Sequence, residues 1–552
     1  MAEGVPVAGI RTLREWLNLF RDPAGPAFRA LAEIYGCDRS VLVEKAAFAL
    51  RALEGFAREF HPGARVLLVR STGRINLVGM HIDHRGGAVN PIAVRETWFV
   101  CEPRDDDVVE CANLREDLFP RRRFSIRDEL GPEPIRDWDR WTQDLTTARR
   151  AAGTAGDWVN YVKAAALYLE HIRPTLSPPV ERPLRGMNLF VAGAVPLGAG
   201  LSSSSSLVVG VADAMIRLNA LPISDRELVE MCGQAEWYVG TRGGCGDHAA
   251  IKFGRLGHVS HLGNHPLTID AVPFPEHLQV VLCDSGIEAK KSSGARDEFN
   301  NRIAAYEFGL MLLRKAFPRL AGRMARLRDV NPETLGVAES EIIRMLTVLP
   351  LRMSRREVLA ALPEYRDRVE HIFGSHAEPP AGYAVRGVCA FGIAECVRSR
   401  LAARALREGD VQRFAEIVNL SHDGDRVTVA AAGRRVPLHK PLSDEVLRRR
   451  ADDLDSGDPV RAERARLWRL PGAYDCSLPD LDEIVDICLS TDGVLASRVV
   501  GAGLGGAVHA VVERERVDVL LERLRKLYYE PRGLACGAQV YTPVGGAGVF
   551  GG

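Results

Sequence analysis

Apolar positions mark out the elements of this chain before any motif is considered. In Val41–Phe60 (VLVEKAAFALRALEGFAREF) they recur at three and four, the helical period. With the Ala, Leu, Arg and Glu around them, residues 1–60 predict two or three helices. ARVLLVR (Ala64–Arg70) and MNLFVAGAV (Met187–Val195) are short β-branched or aromatic runs and predict strands. Leu207–Leu221 (LVVGVADAMIRLNAL) returns to the helical period, as does the amphipathic Asp157–His171. Another helix begins near Ser224, with Asp225 and Glu227 in its first turn, and ends over Gly233–Gly240. Leu278–Gly286 predicts a buried strand and Asp297–Phe317 a helix. Residues 103–156 are charged and uneven and predict irregular strands and loops. Residues 425–472 and part of 320–380 read as insertions, and the terminal VGGAGVFGG as a loose glycine-rich end.

At 552 residues the chain is too long for one core and predicts two domains divided near 275–290. The expected units are a helical extension over 1–62, a first domain over 63–280 and a second over 281–552. Lys plus Arg (72) equals Asp plus Glu (72), so no global basic field gathers nucleic acid or an anionic membrane. The apolar runs fall far short of the ~20 residues of a membrane span, and the first residues carry an early acid and no apolar signal core. Eleven cysteines without a CxxC pair fit thiols in a reducing cytosol. These features predict a cytoplasmic protein without a nucleic-acid or membrane partner, with its oligomeric state open.

The chemistry concentrates in PLGAGLSSSSSLVVG, from Pro196 onward. Strand, glycine turn, serine cluster and helix in that order form an anion cradle. The glycines admit close backbone approach, and the first N–H groups of the helix point at the ligand. The lysine of an ordinary P-loop is absent. A plain serine-capped glycine turn is the alternative for this segment taken alone. Three other segments stand with it: STGRINLVGMHIDHRGGAVNPIAV (Ser71–Val94), AEWYVGTRGGCGDHAA (Ala235–Ala250) and SRVVGAGLGGAVHAVV (Ser497–Val512).

Taken in this order the motifs resemble the GHMP small-molecule kinases, most nearly the galactokinase-like branch, with its GRxNLxGxHxD, GLSSS and GxGxGG segments. Tyr474–Ala507 is similar to that branch throughout. The resemblance implies an α+β, two-domain GHMP kinase fold with the active site in the interdomain cleft, and an ATP- and Mg²⁺-dependent sugar kinase acting at the anomeric hydroxyl. It implies Asp247 as catalytic base with Arg74 beside it, and ATP held by Pro196, Gly198, Gly200, Leu201, Ser202, Ser203, Ser204, Ser205, Gly503 and Gly505. It further implies Mg²⁺ on Ser204 and Glu236, and the acceptor on Arg74, Met80, His81, Asp83, Gly246 and Asp247. An N-cap for Asp247 and a solvated helix glutamate for Glu236 are the structural alternatives. The family reads GEHxDY where this chain has Gly79-Met80-His81-Ile82-Asp83-His84. A thioether is a poor acceptor for the sugar's C6 hydroxyl, so the expected substrate differs from galactose at that end. A polyol or cyclitol acceptor, or a non-catalytic sugar- and ATP-binding regulator, are the other readings.

Overall fold

The computed structural model describes residues 9–154, 156–196, 198–287 and 293–551. Its first sheet runs in the order Arg11–Thr12, Arg65–Asn76, Pro91–Pro103, Met187–Gly193, Val108–Asn113, Arg122–Ser125. All neighbours are antiparallel except Met187–Gly193 and Val108–Asn113, which run parallel. Alternation along the strands sends side chains to two cores. Leu67, Val69, Phe99 and Cys101 face the helices Val159–Ile172, Ser203–Asn219 and Asp225–Ala235. Val66, Leu68, Trp98 and Val100 face Leu13–Arg21, Pro26–Tyr35 and Arg39–Glu59. The three N-terminal helices are thus one layer of the first lobe, where a separate extension was expected. Residues 103–156 also hold a helix, Trp138–Ala151, which their charged composition hid.

A second, antiparallel sheet orders Val494–Val499, Ala507–Glu513, Leu278–Asp284 and Ala538–Tyr541. Between the two sheets the chain forms a separate hairpin of His258–Gly263 and Thr268–Pro273, and Leu278 opens the second sheet. A core at the junction joins Ile75, Leu77, Ile92 and Leu201 to Val280, Leu282, Val500 and Val511. The segments read as insertions are folded: Glu339–Met345 and Asp444–Leu454 share one core with Val385–Arg407.

The C-terminal tail departs from expectation. It crosses back to the first sheet, where Gly548 and Val549 pair with Arg70 and Val69. Phe550 is buried against Trp16, Phe20 and Trp98. Glycines suit this path for lack of bulk: a Cβ on Gly546 would lie 2.3 Å from the Lys252 carbonyl oxygen. Among the described residues no helix is long and apolar enough to cross a membrane.

Candidate active site

The strand Arg65–Asn76 runs through the first motif and carries Arg74 to the edge of the glycine–serine loop. A bulge between Ser71 and Gly73 shifts its register. Gly73 is required there, because a Cβ would stand 2.8 Å from Val195 and 2.9 Å from the Leu201 carbonyl oxygen. The Arg74 backbone N–H donates to that carbonyl at 3.0 Å. Its guanidinium donates to the Gly200 carbonyl and, through Nε and a terminal nitrogen, to both Asp247 oxygens at 2.8 Å each. Ser202 Oγ donates to the same carboxylate. Asp247 opens the helix Gly246–Lys252, and its side chain remains 40% exposed where that of Arg74 is 10% exposed. It caps nothing. Burial pushes the Asp247 pKa up, but the Arg74 charge and the three hydrogen bonds more than offset this and hold it below the usual carboxylate value.

Two glycine loops meet back to back beside this carboxylate. Gly198, Gly200, Gly501, Gly503, Gly505 and Gly506 all have positive φ. A Cβ on Gly501 would lie 3.3 Å from the Gly200 Cα, and one on Gly506 3.4 Å from the Gly198 carbonyl oxygen. Side chains would fill the cradle. Ser202 is in the left-handed region and makes no cap, so the 17-residue helix Ser203–Asn219 begins with free N–H groups. Among the described residues the hydroxyls of Ser203 and Ser204 have no hydrogen-bond partner, whereas Ser206 is buried against Ser71 and Thr97. Leu197 lies outside the described residues.

Several expected ligand residues are placed differently. The hydroxyl that reaches Glu236 is that of Ser205, at 2.7 Å, and not Ser204; His248 Nε2 lies 3.2 Å from the same Glu236 Oε1. The helical turn decides this, since it aims Ser205 inward and Ser204 outward. Leu201 buries its side chain in the junction core. Ser202 serves Asp247. Gly503 makes room for Cys476, whose carbonyl oxygen would be 2.2 Å from a Cβ there.

The second part of the first motif lies against the Asp247 turn. Cβ atoms on Gly244 and Gly246 would fall 3.2 and 3.4 Å from Asp83 Oδ2. His84 Nδ1 faces Asp83 Oδ1 at 2.9 Å. Hydrogen bonds from His84 outweigh burial and hold Asp83 well below the usual carboxylate range. Burial and Arg85 push the His84 pKa down, so its neutral ring donates from Nδ1 and leaves Nε2 as an acceptor. Among the described residues that nitrogen is buried and without a partner, as are the hydroxyls of Tyr306 and Tyr474. The rings form a chain, His84 to Tyr306 at 6.2 Å and Tyr306 to Tyr474 at 6.0 Å. Sequence reasoning missed both tyrosines, although Tyr474 heads the Tyr474–Ala507 run. Met80 is 5% exposed. His81 stacks on Tyr474, and its Nε2 faces Cys476 and Asp425, so only Nδ1 is left for an acceptor.

The two lobes and this paired cradle make up a GHMP kinase fold. Residues 160–255 match the family described as GHMP kinases N terminal domain, 451–530 match GHMP kinases C terminal, and 54–102 match the galactokinase galactose-binding signature. These matches support a galactokinase-like kinase, and the chain is an ATP-dependent sugar kinase of that type. It is 28% identical over 470 residues to the galactokinase of Roseiflexus sp. (strain RS-1), covering 85% of this chain and 88% of that one. It is 27% identical to the galactokinase of Chloroflexus aggregans over 82% and 85% of the two chains. In fold it is similar to Lactococcus lactis galactokinase complexed with galactose (TM-score 0.59, 21% identity, 90% and 99% coverage).

Proposed function

We propose that this kinase transfers the γ-phosphoryl group of ATP to the anomeric hydroxyl of a sugar, with Asp247 as the base that takes the acceptor proton. One observation carries the reading: a half-exposed carboxylate, kept ionised by a two-pronged arginine contact, stands beside a glycine cradle and the free N-terminus of a helix. Arg74 also favours negative charge developing on the acceptor oxygen. The phosphates lie on the amides that open Ser203–Asn219, with Ser203 and Ser204 as hydroxyl donors and Gly200, Gly501 and Gly506 giving them room. Glu236 and Ser205 are the pair suited to Mg²⁺, a hard cation that needs few protein oxygens. Bound there, it neutralises the charge gathering on the phosphates.

Asp83, together with the acceptor nitrogen of His84 and the two tyrosine hydroxyls that have no partner among the described residues, can hydrogen-bond a polyhydroxylated acceptor. Met80 stands where the family presents a carboxylate to the C6 hydroxyl, so the preferred sugar differs from galactose at that end. The test is ADP release across a panel that includes galactose, 6-deoxy sugars, pentoses and polyols, with the product's phosphate located by NMR. Galactose as the best substrate would remove the Met80 reading. Phosphate at any other position would remove the anomeric assignment.

A further inference from the structure

A buried cluster on the far side of the His81 ring from its free Nδ1 joins His81, Asp425 and Cys476. His81 Nε2 lies 3.4 Å from Cys476 Sγ and 3.6 Å from Asp425 Oδ1, and the sulfur lies 3.3 Å from that same oxygen. All three residues are buried, at 8%, 0% and 0% exposure. Tetrahedral zinc with bonds of about 2.0–2.3 Å separates its ligand atoms by about 3.3–3.6 Å. The three atoms therefore already stand at the corners of one face of a zinc tetrahedron.

The surroundings fix each ligand. The Tyr474 ring stacks on His81 at 4.0 Å and 14°. His81 is held at φ +66°, a strained value for a non-glycine residue. Arg498 donates at 2.7 Å to Asp425 Oδ2 and so turns Oδ1 toward the other two ligands.

We propose that His81, Asp425 and Cys476 form a three-ligand zinc site that ties the first motif to the second glycine loop. Thiolate and carboxylate neutralise the dication, His81 binds as a neutral ring, and water takes the fourth position. Binding exchanges the thiol S–H bond for an S–Zn bond and releases one proton to solvent. The thiolate selects zinc over Mg²⁺, which prefers oxygen. The mechanical consequence follows from Cys476, whose carbonyl accepts the Leu504 N–H at 2.8 Å within the second glycine loop. Zinc thus fixes the His81 loop of one lobe against the nucleotide loop of the other.

The probe is Co²⁺ titrated into the full-length chain after chelation, in a Cys37→Ser/Cys536→Ser background that removes the two exposed thiols. The expected result is saturation at one Co²⁺ per chain, with a thiolate-to-cobalt charge-transfer band, intense tetrahedral d–d bands and release of one proton. Cys476→Ser should abolish the charge-transfer band. Because that variant risks misfolding, the unaltered chain is also melted with Zn²⁺, with Mg²⁺ and with chelator; Zn²⁺ alone should raise Tm, reversibly. A hydrogen-bonded triad without metal would give no band and no Zn²⁺-dependent Tm. Either that result or a band surviving Cys476→Ser overturns the proposal. These readouts need neither sugar nor ATP and are independent of the acceptor assignment.

Discussion

Asp247→Asn separates the catalytic from the structural work of the Arg74–Asp247 pair. Asparagine keeps one oxygen for Arg74 Nε but presents an amide N–H₂ where the second guanidinium donor and Ser202 now find an acceptor. Removing one partner of a fully buried ion pair costs about 3–5 kcal/mol. Here the carboxylate is 40% exposed and Arg74 retains the Gly200 carbonyl, so a loss of about 1–2 kcal/mol is expected. Loss of a general base costs about 10²–10⁴ in rate. The variant should therefore stay folded, bind ATP by calorimetry and lose turnover by at least a hundredfold in an ADP-release assay. More than a tenth of wild-type kcat at matched folded fraction would refute the assignment. The same pair sets a pH expectation. The folded-state pKa is lowered, so whatever stability the pair contributes is present above the usual carboxylate pKa of about 3.9 and lost as pH falls through the lower folded value. Asp247 should place no inflection in kcat/KM between about pH 5 and 8.

Ser205→Ala leaves Glu236, 9% exposed, without its 2.7 Å hydroxyl. At about 1–3 kcal/mol for a lost buried bond, the Mg²⁺ needed for half-maximal rate should rise several-fold while the sugar KM holds; unchanged Mg²⁺ dependence would count against the pairing. Met80→Glu should shift relative kcat/KM toward galactose by about tenfold, ~1.4 kcal/mol, measured beside the best native acceptor. Equal galactose efficiency in both proteins would mean Met80 faces only the core. Phe550→Ala should destabilise by about 3–5 kcal/mol in urea unfolding, since the ring is 3% exposed among Trp16, Phe20 and Trp98. A loss under about 1 kcal/mol would show the tail to be dispensable.

Local signals were enough for the motif-bearing elements. β-branched runs placed the strands at Arg65–Asn76 and Met187–Gly193 and helical periodicity the helix at Ser203–Asn219, because period and turn chemistry act over neighbouring residues. The motifs also brought Arg74 and Asp247 into one expectation although 173 positions separate them. Which serine meets Glu236 depended on how the first helical turn is rotated against Glu236–Val239, a packing outcome that no spacing within SSSSS encodes. The Trp138–Ala151 helix was hidden by its charge, since its stability comes from the face it buries. The glycine-rich tail looked loose because its pairing partners, Val69 and Arg70, lie hundreds of residues away and its anchor is the single ring of Phe550. The meeting of His81, Asp425 and Cys476 is the extreme case. His81 stood out only as an acceptor contact and Asp425 and Cys476 not at all; the three become one cluster only when the lobes pack on each other, because ligand geometry is a property of distances in space and the sequence records only distances along the chain.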